Sequence, residues 1–90
     1  MQKQVLKWKR LSKTKKTSLV LSVFENGEEL TATEILQRLR DKGVDISLTP
    51  AGLGSWLRLH MEFKYLQKVR KPDPENWYNA GHNRTFWKLI

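Results

Sequence analysis

The chain has 90 residues, of which 39% are hydrophobic and 29% charged, with a formal net charge of +8 and no cysteine. That length holds one domain: halves of it would bury too little surface to stand alone, and without cysteine there is no disulfide or thiolate–metal staple. Four Trp, three Phe and two Tyr supply one small core and exclude wholesale disorder, and no run reaches the ~20 apolar residues needed to span a bilayer.

Residues 1–12 read as a basic N-terminal arm or extension, and residues 13–90 as the domain. In the arm, Val5, Leu6, Trp8 and Leu11 stand among lysines without a helical stripe. A flexible arm, a short strand and an early helix laid on the domain all fit this pattern. Trp8 is costly to leave in water and is expected to pack.

The first helix is predicted over Lys13–Glu25, where Leu19, Val20, Val23 and Phe24 fall on one face. Asn26-Gly27 stops it. The apolar stretch Ser18–Phe24 is too short and too amphipathic for a signal peptide, so the chain reads as soluble and intracellular. Thr31-Ala32-Thr33-Glu34 is a capping box that opens a second helix, about Ala32–Lys42, with Ile35, Leu36 and Leu39 as its stripe. Gly43 ends it. After the connector Val44–Leu48, Thr49 caps a third helix with Pro50 in its first position. Its inward stripe is Leu53, Trp56, Leu57, His60 and Met61, and it ends near Phe63 or Lys64.

The last third changes period. Tyr65–Arg70 alternates, with Leu66, Lys68 and Arg70 on one face and Tyr65, Gln67 and Val69 on the other. Thr85–Ile90 reads as the return strand, with either Phe86 or Trp87 turned inward. The two strands pair as a hairpin around a long loop, about Lys71–Asn83. That loop carries Trp77 and Tyr78, as a plug over the core or as a contact surface.

The order helix, short extended link, helix, helix, hairpin resembles the winged helix-turn-helix family. Gly27–Ile35 resembles the link and second-helix start of many members, and Thr49–Leu57 the start of a recognition helix. Lys64-Tyr65-Leu66 resembles the turn into the wing, where many members carry Gly at the position of Lys64. Thr85–Leu89 resembles the closing strand. The match covers about residues 15–90 and implies an α+β winged helix, a three-helix helix-turn-helix core followed by a C-terminal β-hairpin with a long wing loop.

The resemblance implies duplex DNA as partner, with the third helix in the major groove and the wing on an adjacent groove or the backbone. It leaves Ala51, Gly52, Ser55, Arg58, Leu59 and Glu62 outward on that helix. Thr49 and Ser55 then become phosphate donors, and Arg58 a possible bidentate contact to guanine. One Arg, one Ser and an exposed Leu make a sparse reading face. Weight therefore shifts to Arg70, Lys71, His82, Asn83 and Arg84 of the wing, with Lys68 and Lys88, and to Lys7, Lys9, Arg10, Lys13, Lys15 and Lys16 at the N-terminus.

Charge placement points the same way. Residues 1–24 carry seven bases and no acid, residues 25–62 sum to −3 and residues 63–90 to +4. Basic ends around an acidic-to-neutral middle suit a polyanion, and they also simply keep a small protein in solution. Binding of this kind is mainly to backbone and falls steeply with salt. The expected role is a small transcriptional regulator or chromatin-like factor.

Two other readings stay open. One is a protein-interaction module using the acidic middle, Leu59 and the Trp77-Tyr78 loop, or a homodimer through Val5, Leu6 and Trp8. The other is single-stranded nucleic-acid binding, with Trp77 and Tyr78 stacking on bases. Neither an enzyme nor a cofactor is expected. The chain has no Gly-rich phosphate loop and no nucleophile elbow, and Asp73 and Glu75 sit in a proline-bounded turn. His60 and His82, with no cysteine to help, do not suggest a metal site. Asn83-Arg84-Thr85 matches the glycosylation pattern by chance.

Overall fold

The computed structural model describes residues 6–72 and 83–90. Strand β1 (Leu6–Lys7) leads into a 3-10 turn at Trp8–Arg10, then α1 (Lys13–Ser22), β2 (Glu29–Leu30), α2 (Ala32–Asp41), β3 (Val44–Asp45), α3 (Pro50–His60), β4 (Leu66–Pro72) and β5 (Asn83–Leu89). Three helices are thus followed by an antiparallel hairpin, the arrangement expected of a winged-helix-like topology.

Local chemistry sets the helix starts. The Ser12 hydroxyl accepts from the Lys15 N–H, that of Thr31 from Glu34 and that of Thr49 from Gly52. Around Thr31 the capping box is complete, since the Glu34 carboxylate accepts from the Thr31 N–H at 3.1 Å. Each cap satisfies an N–H group that the first helical turn leaves unpaired. Gly27 and Gly43 end the stretches after α1 and α2 with φ of 74° and 89°.

Helix α1 stops at Ser22, short of the expected Glu25. Val23 and Phe24 continue the apolar pattern, yet they are buried from the turn rather than from the helix. Helix α3 stops at His60, short of Phe63. The Met61 carbonyl then accepts from the N–H groups of Lys64, Tyr65 and Leu66, winding the chain into a tight turn.

Three of the strands have only two residues each; a short strand is one of the alternatives open for the segment that holds β1, and the links that hold β2 and β3 were expected as connectors without named strands. β1 lies parallel to β3, with Leu6 opposite Val44, as a separate two-stranded sheet that is not typical of a winged helix-turn-helix. β2 pairs with β5, with Leu30 opposite Trp87, so the main sheet runs β2–β5–β4. On one face of that sheet lie Leu66, Lys68 and Arg70 of β4 opposite Leu89, Trp87 and Thr85 of β5. Trp87 is the inward residue, buried with Leu30 and Leu66.

The core joins Val20, Val23 and Phe24 to Ile35, Leu36 and Leu39, to Leu53, Leu57 and Met61, and to the sheet residues. Trp8 is buried within it. Trp56, expected in the core, is only partly buried and packs against its edge. At the outer corner of α1 and α2, Arg38 donates to the Val23 carbonyl at 3.0 Å and forks onto Glu28, Nη2 to Oε2 being 2.8 Å. The guanidinium, with the Glu25 N–H, holds the Glu28 carboxyl below the ordinary glutamate range, and Glu28 in turn raises Arg38.

Candidate nucleic-acid interface

Core burial of Leu53, Leu57 and Met61 turns the opposite side of α3 to solvent. Ala51, Ser55, Arg58 and Leu59 are exposed there, as expected, and Gly52 is half-buried. Glu62 is not on this open face. Its side chain is 9% exposed and lies 3.8 Å from Lys68, because the turn after His60 carries it against the sheet.

The hairpin closes on one flank of this face and forms a cleft of about 260 Å³. Helix α3 lines it with Ala51, Gly54, Ser55 and Arg58, β4 with Lys68 and Arg70, β5 with Thr85 and Trp87, and α2 with Ala32. Three cations and two hydroxyls enter it, and no carboxylate lines it among the described residues. Arg58 and Arg70 make no ion pair among the described residues. A fixed neighbouring carboxylate would have neutralised them. Left open, they suit an anionic chain running along the cleft.

A second cleft, of about 430 Å³, adjoins the first through Ala32 and Thr85. The start of α2 (Thr31–Glu34) and Arg84 complete its lining.

Other predicted residues fall elsewhere. Lys71 is on the opposite sheet face from Lys68 and Arg70, paired with Glu29 and 5.4 Å from the centroid of the Phe86 ring. The alternation of the strand separates it from the cleft. Thr49 is the α3 cap, with its oxygen already accepting from Gly52. Lys7, Lys9 and Arg10 line a separate cavity with Asp45 and Ser47, just before α3 begins. Lys13 lines another with Thr14, Thr17, His60, Lys64 and Tyr65. Lys15 is exposed on the first turn of α1, and Lys16 lies 5.3 Å from the Trp8 ring centroid. Asn83 opens β5 opposite Pro72. His82, Trp77 and Tyr78 lie outside the described residues.

Lys68 joins Arg58 and Arg70 in the cleft although the sequence singled it out only as part of the wing. Its alternation with Arg70 was the available signal. Phe63 carried no signal at all. Among the described residues no group of three metal-ligating side chains forms, and no helix is long and apolar enough to cross a membrane.

Comparison with protein-family models, with curated proteins and with solved structures finds no match to this chain.

Proposed function

We propose that this chain is a winged-helix domain that binds duplex DNA mainly through its phosphate backbone, as a small transcriptional regulator or chromatin-like factor without catalytic activity. The observation that carries this is the convergence of Arg58 from α3 with Lys68 and Arg70 from β4 in a cleft that no carboxylate lines among the described residues. Arg58 and Arg70 are exposed, and Lys68 is partly buried beside Glu62. Together, beside the hydroxyls of Ser55 and Thr85, they offer a run of donors to a phosphate backbone. The N-terminal cations extend the positive surface past the start of α3 and along α1.

The small residues Ala51, Gly52, Gly54 and Ser55 let a backbone approach α3 closely, and they give it few groups with which to read bases. The reading therefore predicts weak sequence preference and strong salt dependence. Fluorescence anisotropy of labelled duplex across a salt series tests it. A log–log slope of several units supports the proposal, and absence of binding at low salt removes it. The single-stranded reading depends on Trp77 and Tyr78 and is distinguished by competition between single and double strands.

A further inference from the structure

We infer that the free edge of β4, with the apolar recess beside Phe63, receives an acidic polypeptide segment as an added strand. The inference does not rest on DNA binding.

It starts from Phe63. Among the described residues this is the one non-glycine with positive φ, at 71°, and its ring is 86% exposed. Left-handed backbone is the natural place for glycine, and a bulky side chain there is an outlier. The ring recovers nothing by burial in the free chain. Stability alone would favour glycine, so the aromatic is explained by a contact it makes with something else. Beside it opens a recess of about 440 Å³, lined also by Glu62, Leu66, Gln67, Lys68 and Ile90. Ile90 is itself 73% exposed.

The recess lies along a sheet edge. Ile90 donates its N–H to the Tyr65 carbonyl, which fixes the phase of the ladder. Tyr65, Gln67, Val69 and Lys71 thus bond toward β5, and Leu66, Lys68 and Arg70 point their backbone groups away from it. Those of Leu66 are taken: its N–H donates to Met61 and its carbonyl accepts from Phe63. Those of Lys68 and Arg70 have no backbone partner among the described residues. Pro72, next in phase, has no N–H to offer. The open edge therefore has two residues' worth of donors and acceptors, starting where the apolar recess ends.

Charge selects the occupant. Lys68 is engaged by Glu62, while Arg70, exposed and without an ion pair among the described residues, remains to meet carboxylates. A second copy paired edge to edge would set its β4 cations against these, and such cations are how natural edges resist self-pairing. An acidic segment with an apolar residue for the Phe63 recess satisfies both features, in the manner of strand addition.

The test is amide NMR on the full chain with two blocked peptides, Glu-Val-Glu-Leu-Glu-Val and its counterpart with Lys for Glu. The acidic peptide is expected to slow exchange of the Lys68 and Arg70 amides about tenfold or more and to shift Phe63 and Ile90, while the basic one does neither. Phe63→Gly, which keeps the fold, should weaken binding about fivefold or more. Lys68→Pro, placing proline where the N–H faces away from β5, should abolish the added protection. Lack of protection, equal binding of both peptides, or an unchanged affinity in Phe63→Gly overturns the inference. So does a free chain that sediments as a dimer with those amides already protected, which would assign the edge to a second copy.

Discussion

Trp8 meets Trp56 edge-on, with ring centroids 5.2 Å apart and planes at 70°. The contact joins the basic N-terminal segment to α3, and Trp56 carries it on to His60, 5.1 Å from centroid to centroid. The residues before α1 are thus seated on the helix that lines the cleft. Trp8→Ala should cost about 3–5 kcal/mol in stability, as loss of a buried tryptophan does, read by urea denaturation.

The same packing decides how the N-terminal charge is best tested. A chain starting at Lys13 would lose Trp8 and the β1–β3 pairing along with four cations. Substituting Lys7, Lys9 and Arg10 together by Ala removes the charge from exposed positions. It should leave the melting temperature nearly unchanged and reduce the salt slope of DNA binding by about 2–3 units if each meets a phosphate. An unchanged slope would exclude this segment from the interface.

In the cleft, Arg58→Ala and Arg70→Ala should each lower the salt slope by about 1 unit and weaken binding similarly for unrelated duplexes. Lys71→Ala should do less to DNA, because its ammonium is on the other sheet face and paired with Glu29. Equal losses from Lys71 and Arg70, measured by anisotropy, would place the interface on the wrong face of the hairpin.

The Glu28–Arg38 pair makes stability depend on acid. Its carboxyl is depressed in the folded chain, so its contribution is present above the ordinary glutamate range and fades as pH falls through the lower, folded value. Between about pH 5 and about pH 3 the wild type should therefore lose more stability than Glu28→Gln. Parallel pH profiles for the two, from thermal melts, would show that the pair contributes nothing.

At position 63 the backbone alone can be weighed by comparing Phe63→Gly with Phe63→Ala. Both remove the exposed ring, and only glycine takes a φ of 71° without strain. The Gly variant should be the more stable by about 1 kcal/mol. Equal stability would mean that the turn relaxes out of the left-handed region.

What the sequence made legible was what local chemistry determines. Thr31 with Glu34, and Thr49 ahead of Pro50, mark helix starts by hydrogen bonds three residues apart, and both are found. The alternation through Leu66, Lys68 and Arg70 correctly assigned one sheet face. What eluded it was tertiary. Two-residue strands such as Glu29–Leu30 have no period to detect, and their pairing depends on a distant strand. Val23 and Phe24 extend an apolar stripe beyond the helix that began it. Many members of the resembled family carry glycine where this chain has Lys64, but here the left-handed residue is Phe63, one place earlier and without a glycine to announce it. For the cleft, the residue types were visible, but that Lys71 would part from Arg70 required the strand register.

In the main sheet, β5 is the middle strand and also the last of the three in chain order. Neither β2 nor β4 has its neighbour until Trp87 and the residues around it have been synthesised. Helices α1, α2 and α3 can form early from local contacts, but the sheet side of their core must wait. The folding barrier should then include the closing of the long Leu30–Trp87 loop, and a nascent chain stalled before β5 would expose Leu30 and Leu66 together.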